Sequence, residues 1–519
     1  MATPQEKLAD SLATLEALQQ QGIVAVRSRN LSRTHRERLL RNGFLQEVMK
    51  GWYTPARPDE RAGESAAWYA SFWAFCAAYL TERFGSDWCF SPEQSLFLHA
   101  GRTTVPKQLL VRAPKGRNKT TELPHGTSLF ELRANLPAPD RYKELDGVRA
   151  YTLPASLVFS GPGLFRDNPI EARAALAMMQ DSSDMLAILL DGGHSTIAGR
   201  LAGAFRNIGR DKIANEIVST MKSAEYVVRE TDPFDQPAPF TLSAREPSPY
   251  VTRTRLMWQT MRGDITPIFP KAPAIRSDID AYIKHVEDVY VTDAYHSLSI
   301  EGYSVTQELI ERVRTGAWDP DNKEEDREKQ RDALAARGYY EAFQAVKRSV
   351  EKVLKGENPG TVADGDHAAW YRELFAPSVT AGILRPGDLA GYRNGPVYIR
   401  NSLHVPPSRE AVRDLMPLLF ELLAGEENPA VRIVLGHFVF VYIHPYFDGN
   451  GRMGRFLTNV MLASGGYPWT VIPVERRTDY MESLEAASVD QNIKPFTEFL
   501  GELVTDNIEG KPGPKVPTK

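Results

Sequence analysis

Residues 444–455 read HPYFDGNGRMGR and bring a histidine, an aspartate, glycines and two arginines into one short stretch. Gly449 and Gly451 have no Cβ, so the backbone there can fold into a nest of N–H groups that an anion can approach closely. Arg452 and Arg455 are three positions apart and would project from neighbouring sites on a helix. Because a guanidinium pairs with phosphate oxygens through its planar fork, the stretch predicts a phosphate-binding site.

Two further side chains of the stretch add reactive chemistry. Asp448 offers a hard oxygen ligand suited to Mg²⁺ that is shared with phosphates. His444 can serve as a general base near neutral pH. The stretch therefore combines an anion site, a metal ligand and a base.

Helices are predicted on both sides of this stretch. After it, apolar residues recur with helical spacing on one face: Met453, Phe456, Leu457, Val460 and Met461. Before it, Asn428 and Pro429 are typical of an N-cap and a first-turn proline on a buried helix. The phosphate site would then lie at a helix N-terminus, where unpaired N–H groups and the helix dipole favour negative charge.

Three other interpretations of the stretch are open. Its three glycines have the spacing of a dinucleotide fingerprint, with residues 438–443 as a strand and residues 470–475 as a second strand ending in an acid. The five residues before the first glycine and Pro473 in the second run count against it. A calcium loop would need an acid and a glycine where Arg452 and Met453 stand. An ordinary helix–helix turn explains the glycines but not the reactive side chains.

The stretch 444–455 resembles the signature of Fic-domain proteins, His-Pro-Phe-x-(Asp/Glu)-Gly-Asn-Gly-Arg-x-x-Arg. Every defining position matches except the Phe, which is Tyr446 here and keeps the ring. The resemblance extends over roughly residues 270–500 and implies an all-helical core with a small β-hairpin flap. It also implies transfer of a nucleoside monophosphate, most often AMP from ATP, onto a Ser, Thr or Tyr hydroxyl of a protein, with Mg²⁺ held by Asp448.

The same resemblance implies a role for each residue of the motif. His444 takes the proton from the attacking hydroxyl, and Arg452 stabilises the charge that develops as pyrophosphate leaves. The backbone of Gly449–Gly451 and the Asn450 side chain hold the phosphates, and Arg455 holds the γ-phosphate. Members of the family also use UTP, GTP or phosphocholine donors, and some remove AMP; the motif does not choose among these.

A second stretch, SLSIEG, matches the family's inhibitory pattern (Ser/Thr)-x-x-x-Glu-(Gly/Asn) through Ser297, Glu301 and Gly302. The match implies that Glu301 forms a forked ion pair with Arg455 and displaces the phosphates of ATP. The alternative is a glutamate at a helix end beside a C-cap glycine.

A third stretch, Gly391–Arg400, is similar to the family's flap. Val397, Tyr398 and Ile399 are expected to form a short exposed strand that pairs with a segment of the target protein. The alternative is a plain surface hairpin.

Composition sets broader bounds. The chain has 519 residues, a formal net charge of −4, 42% hydrophobic and 25% charged residues, as in soluble globular proteins of two to four domains. We expect no membrane span and no signal peptide, because no run of 18 apolar residues occurs and the first residues lack a basic segment before an apolar core. Cys76 and Cys89 are predicted to be reduced core thiols, which favours a cytoplasmic location.

The order helix, basic helix, hairpin predicts a winged helix-turn-helix in residues 1–60. Residues 5–20 form the first helix, Ser32 caps a second that ends at Gly43, and residues 44–53 form the hairpin. The region resembles the N-terminal domain of AbiEi-type antitoxins, including the sequence GWY after the hairpin.

The second helix of this region lies in a basic segment. From residue 22 to residue 51, seven basic side chains stand against two acidic ones, a surplus of five. We expect binding to duplex DNA through Arg33, Arg36 and Arg38. The alternative is a solvated, arginine-rich helix face.

The rest of the chain divides by composition. Residues 61–235 are predicted to form an AbiEi-like α+β middle domain, and prolines mark a linker at 236–250. Residues 251–505 would hold the Fic domain with its inhibitory helix, and 506–519 a disordered tail.

The sequence thus predicts a mainly α protein adenylyltransferase, autoinhibited by Glu301, with DNA-binding autoregulation. Its expected partners are ATP, Mg²⁺, duplex DNA and a protein that carries a hydroxyl side chain, with self-modification and a homodimer left open. A DNA-binding regulator or antitoxin-like protein whose Fic half senses nucleotide is the alternative of a different class.

Overall fold

The computed structural model describes five segments of the chain: 3–56, 66–239, 248–273, 278–318 and 327–517. Their packing separates two compact units. Unit 1 comprises Met1–Leu256 with Tyr398–Val405, and unit 2 comprises Met257–Val397 with Pro406–Lys519. Residues 240–247, the middle of the predicted linker, lie outside the described residues.

Unit 1 begins with two helices and a small antiparallel sheet of strand order β1-β3-β2. The elements are α1 (Pro4–Gln20), β1 (Val26–Arg27), α2 (Arg33–Arg41), β2 (Leu45–Met49) and β3 (Trp52–Pro55). Ser32 caps α2 by accepting a hydrogen bond from the His35 N–H. Apolar side chains from both helices and the sheet form one small core: Leu15, Val26, Leu31, Leu39, Leu45 and Tyr53.

The remainder of unit 1 is a mixed sheet surrounded by helices. Its elements are α3 (Ala66–Phe84), β4 (Cys89–Phe90), α4 (Pro92–His99), β5 (Gln108–Ala113), β6 (Lys119–Glu122), β7 (Ser128–Arg133), β8 (Tyr142–Leu145), β9 (Val148–Tyr151), α5 (Leu153–Phe159), α6 (Gly163–Asp167), α7 (Pro169–Met178), α8 (Ser183–Asp191), α9 (Ser195–Asn207) and α10 (Asp211–Ser223). The strand order is β4-β5-β7-β6, with β5 and β7 parallel, and β8 pairs with β9.

The aromatic face of α3 packs against this sheet and forms the main core of unit 1. Cys76 belongs to this core, and Cys89 on β4 is fully buried as well, as expected of core thiols. Burial raises the pKa of the Cys89 thiol to about 12, so the group is a neutral packing element.

Unit 2 is helical throughout its described residues apart from loops and short 3-10 turns. Helix α11 (Pro249–Ile265) contains the boundary between the units and is followed by α12 (Ile279–Ile300), α13 (Gln307–Arg314), α14 (Arg327–Leu354), α15 (Pro359–Thr380), α16 (Arg409–Gly425), α17 (Pro429–Ile443), α18 (Asn450–Gly465), α19 (Arg477–Val489) and α20 (Lys494–Ile508). The predicted class, a mainly helical protein with small β elements, is confirmed.

Helices α17 and α18 form the buried centre of unit 2. The Asn428 side chain caps α17 by accepting from the N–H groups of Ala430 and Val431. Residues 438–443 are therefore helical, which excludes the dinucleotide interpretation that needs a strand there. His437 joins three helices, because its ring nitrogens lie 2.7 Å from the hydroxyls of Thr458 and Tyr480.

The predicted flap differs from expectation in its local structure. Val397, Tyr398 and Ile399 are half-buried and form no strand. Tyr398 and Ile399 belong to unit 1 with residues 398–405, whose Leu403 and Val405 pack against the aromatic core of that unit.

Within the part of the chain that the structure describes, none of the helices combines the length and the apolar character needed to cross a bilayer.

Candidate active site

The reversal of the chain between α17 and α18 begins at His444. This residue caps α17 in the left-handed conformation, with φ 52° and ψ 60°. Its Nδ1 lies 3.2 Å from the Val441 carbonyl, which can only accept, so Nδ1 carries the hydrogen and Nε2 carries the lone pair. Desolvation lowers the pKa of the half-buried ring to about 4, although the bond to Val441 opposes the shift. At neutral pH His444 is thus an uncharged base with a fixed tautomer.

Besides Arg393, whose Nε donates to the His444 carbonyl at 2.8 Å, the loop that follows is held by the side chain of Asn450. Its Oδ1 accepts from the Tyr446 N–H at 2.9 Å, and its Nδ2 donates to the Tyr446 carbonyl at 2.8 Å. The Tyr446 ring in turn stacks on Tyr371, with centroids 3.8 Å apart. We expected the Asn450 side chain to hold phosphates, but it is buried and its amide braces the loop instead. Tyr446, which stands at the Phe position of the motif, thus uses its ring for stacking.

Helix α18 starts beneath this loop. Gly449 is its N-cap, with φ 81°, a conformation that side-chain-bearing residues rarely adopt. A Cβ on Gly449 would lie 2.8 Å from the Phe375 ring, so close packing also demands glycine. The first N–H groups of α18, like those of any helix start, lack acceptors within the helix and favour an anion near the N-terminus.

Arg452 lies in the first turn of α18 and is 1% exposed. Its Nη2 is 3.3 Å from Asp448 Oδ2, and its guanidinium carbon lies 5.3 Å from the Tyr303 ring centroid and 5.1 Å from that of Phe375. Burial disfavours the charge, but Asp448, Tyr303 and Glu301 outweigh this and raise the pKa of Arg452 above its ordinary value. Arg452 remains a buried cation.

Arg455, one turn further, contacts the end of α12. Its Nε donates to Ser297 Oγ at 2.8 Å, and its Nη2 donates to the Ser297 carbonyl at 3.0 Å and to Glu301 Oε1 at 2.7 Å. The structure therefore brings Ser297, Glu301 and Gly302 to the central motif. The pair is a single-atom contact rather than the expected fork, because Ser297 takes Nε and shares Nη2, while Nη1 has no hydrogen-bond partner among the described residues. A Cβ on Gly451 would overlap Glu301 Oε1, so this carboxylate lies directly over the start of α18.

Two buried guanidinium groups keep unused donors at this site. Arg452 Nε and Arg455 Nη1 have no hydrogen-bond partner among the described residues. A buried, unsatisfied donor costs about 1–3 kcal/mol, and more on a charged group. Donors of this kind at a helix start are suited to bind the oxygens of a phosphate chain.

The side chains here also fit a magnesium ion that arrives with a nucleotide. No group of three or more metal-ligating side chains occurs in the described segments, which also leaves the calcium-loop interpretation without a site there. Asp448 is 62% exposed and keeps acceptor capacity beyond its bonds to the Gly449 N–H and Arg452. Mg²⁺ is commonly held by one or two carboxylates together with substrate phosphates, so a single aspartate is sufficient.

Sequence reasoning missed four side chains around the arginines. Tyr303 and Phe375 contact Arg452, as described above. Asp293, one turn before Ser297 on α12, is buried and accepts from the Tyr339 hydroxyl at 2.7 Å. Burial raises the pKa of Asp293 to about 6, although the Tyr339 bond and nearby Arg455 oppose the shift. The helical spacing of Asp293 to Ser297 was the only sequence signal for it.

Comparison with known proteins agrees with the motif. Residues 367–462 match the Fic/DOC family. Relatives named protein adenylyltransferase Fic include one from Drosophila willistoni, 26% identical over 238 residues (45% of this chain and 42% of that protein). Another, from Nematostella vectensis, is 27% identical over 241 residues (46% of this chain and 50% of that protein). The chain spans about half the length of these curated relatives.

Solved structures give matches of lower similarity. Fic-1 from C. elegans matches with a TM-score of 0.36 and 16% identity, covering 66% of this chain and 97% of that one. A Fic family protein from Desulfovibrio desulfuricans G20 matches with a TM-score of 0.33 and 22% identity, covering 51% and 76%.

The motif, the helices around it and the family match show that this chain contains a Fic domain. The Fic domain of this chain is homologous to protein adenylyltransferase Fic.

The loop brace yields a first prediction. Asn450→Asp replaces the donating amide with a carboxylate that faces the Tyr446 carbonyl, and a buried charge is left without its partner. We expect the free energy of unfolding of unit 2 to fall by about 3 kcal/mol. Thermal denaturation of the full chain would measure this, with the exposed Asn394→Asp as the matched control. Equal midpoints for the two variants would contradict the role of the brace.

Proposed function

We propose that this protein is a protein adenylyltransferase, which transfers AMP from ATP to a Ser, Thr or Tyr hydroxyl of a protein, including its own chain. The main support for the proposal is that one short motif carries both an uncharged histidine base and arginine donors that are still available to bind an anion. His444 Nε2 has a free lone pair, and Arg452 Nε and Arg455 Nη1 are unsatisfied among the described residues. The names of the homologous proteins support the same activity.

The chemistry follows from these positions. The acceptor hydroxyl oxygen attacks the α-phosphorus, and its proton passes to His444 Nε2. The bond between the α-phosphorus and the bridging oxygen breaks, and that electron pair leaves with pyrophosphate. Arg452 and the first N–H groups of α18 stabilise the charge that develops there. Mg²⁺ on Asp448 would neutralise phosphate charge. Arg455 would hold the γ-phosphate and so fix the pose of ATP.

Removal of the base is the direct test. We expect His444→Ala to lower the transfer rate by a factor of about 10² to 10⁴ while Mg-ATP affinity changes little, since the phosphates rest on α18. Because the pKa of His444 is held near 4, the wild-type rate should lack a step near the ordinary histidine pKa when the pH falls from 7 to 5. Transfer of labelled AMP and calorimetric binding measure the two effects.

His194→Ala, at a histidine of unit 1, is the matched control and should transfer at the wild-type rate. If His444→Ala also transfers AMP at the wild-type rate, His444 is not the general base.

We further propose that Glu301 inhibits this activity. Its carboxylate pairs with Arg455 and lies over Gly451, in the space that a γ-phosphate would need. ATP that enters while the pair is closed has its phosphates displaced, and its α-phosphorus is out of line with the hydroxyl. Positioning supplies much of the rate in such transfers, so closure should suppress turnover more than binding.

Glu301→Ala should therefore raise self-modification and transfer to lysate proteins at saturating Mg-ATP at least tenfold, with a smaller gain in ATP affinity. Glu287→Ala is the matched control, because it breaks another ion pair of α12, with Lys347 at 2.6 Å. Intact-mass measurement with each Mg-nucleotide would also identify the donor. Equal turnover in the two variants would contradict the inhibitory role of Glu301 and would mean that residues 297–302 are an ordinary helix end.

A second function is proposed for the start of unit 1, which we regard as a winged helix-turn-helix that binds duplex DNA. The supporting observation is the order α1, β1, α2, β2, β3 together with the basic surplus of this segment. The three arginines expected to contact DNA differ in availability. Arg38 donates to the Lys7 carbonyl and to Ser11 Oγ, and Arg36 donates to the Ser28 carbonyl. Arg33 is 83% exposed and pairs with Glu37.

This difference sharpens the DNA test. Replacement of Arg33 and the exposed Arg41 by Ala should weaken DNA binding and flatten the log–log salt dependence by about 0.9 for each phosphate that the protein no longer neutralises. Arg38→Ala should instead lower the thermal stability of unit 1. Fluorescence anisotropy with promoter fragments at several salt concentrations measures the slope. If no promoter fragment binds at low salt, the DNA-binding hypothesis is wrong, and contact with another protein becomes the better explanation of this region.

A further inference from the structure

Tyr303 joins the end of α12 to the catalytic arginine. Its N–H donates to the Leu298 carbonyl at 3.1 Å, and Gly302 before it has φ 86°. Glu301, Gly302 and Tyr303 thus form one tight turn whose backbone bonds return to the last turn of α12. The position of the Tyr303 ring is therefore tied to the position of the Glu301 carboxylate.

The Tyr303 ring is one of two aromatic contacts of the Arg452 guanidinium. The guanidinium carbon lies 5.3 Å from its centroid and 5.1 Å from that of Phe375 on α15. A cation within about 6 Å of a ring is attracted by the ring quadrupole, and more strongly when it is removed from water. Arg452 is 1% exposed, so both contacts act at their full strength.

The polar contacts of Arg452 cannot fix its orientation by themselves. Its hydrogen bond to Asp448 is 3.3 Å long, and the Asp448 side chain is 62% exposed and available to a metal ion. Its Nε has no partner among the described residues. A planar guanidinium with one weak polar tether takes its direction from the rings it packs against.

We propose that Tyr303 is a positioning residue for Arg452: its ring holds the guanidinium with its donors directed at the leaving phosphates, and its turn links Arg452 to the Glu301–Arg455 pair. This inference rests on the proposed transfer activity and deepens it. Movement of Glu301 away from Arg455 shifts the turn, and the ring carries that shift to Arg452. One short turn then sets the orientation of both arginines of α18.

The kinetic test compares two substitutions in the Glu301→Ala background. Tyr303→Leu removes the ring, and we expect kcat for AMP transfer to fall about tenfold, in the range of a desolvated cation–π contact, while the KM for ATP changes less than twofold. Tyr303→Phe keeps the ring and should retain kcat within twofold. Tyr340→Leu, at a half-buried tyrosine of α14 that packs on Tyr290, is the matched control and should leave both constants unchanged.

A second measurement is independent of turnover. In the full chain labelled with ¹⁵N-arginine, the Arg452 Nε–H resonance, assigned through Arg452→Lys, should move in Tyr303→Leu because the ring-current field is removed. It should stay near its original position in Tyr303→Phe and Tyr340→Leu. A resonance that Tyr303→Leu leaves in place would overturn the inference.

The two measurements also separate the possible failures. If no variant transfers AMP but Tyr303→Leu moves the Arg452 resonance, the proposed activity fails and the contact of Tyr303 with Arg452 stands. If transfer occurs and Tyr303→Leu lowers kcat no more than Tyr340→Leu, Tyr303 is not a positioning residue. A fall in kcat that Tyr303→Phe shares would overturn the role of the ring.

Discussion

The reversal of the chain between α17 and α18 depends on the amide of Asn450, together with the buried Arg393, which donates to the His444 carbonyl. The chain must leave α17, reverse, and start α18 within a few residues, and this requires left-handed backbone at both His444 and Gly449. Such a loop exposes backbone groups that need partners inside the protein. The Asn450 side chain satisfies both backbone groups of Tyr446 at once. The base, the helix start and the two arginines then share one rigid frame.

Buried charge is the second constraint on this frame. Arg452 and Arg455 are both nearly inaccessible to water, and each keeps an unsatisfied donor among the described residues. Two like charges on one helix would be costly without compensation. Asp448 and the aromatic faces of Tyr303 and Phe375 compensate the charge of Arg452, and the acceptors at the end of α12 compensate that of Arg455. The helix that carries Glu301 is thus part of the electrostatic support of the site as well as a neighbour of it.

The sequence predicted the elements well because its signals were local. Ser32 before α2, Asn428 before α17 and the apolar face of α18 each act within a few residues, and each was found where expected. The long motif and the separate stretch SLSIEG also predicted that Glu301 lies beside Arg455, through a resemblance that spans more than a hundred residues of chain.

The remaining features are long-range and leave no local pattern. Nothing near Tyr303 or Phe375 indicates that both rings meet Arg452. The side chain of Asn450 could equally well face a phosphate or its own loop, and only the fold decides. Arg38 counted toward a basic surface, but it is used to join α2 to α1. The number of charges along a sequence does not show which guanidinium groups are used in hydrogen bonds within the protein.

The position of Glu301 over Gly451 has one more consequence. The Glu301 carboxylate lies there as part of the same chain, one residue beyond the last residue of α12. A tethered group competes at an effective concentration on the order of millimolar or more, whatever the concentration of the protein. Dilution of the protein therefore cannot separate Glu301 from Arg455. Under the inhibition that we propose, a soluble anion would bind there by displacing the Glu301 carboxylate, or when α12 moves and takes Glu301 away from Arg455.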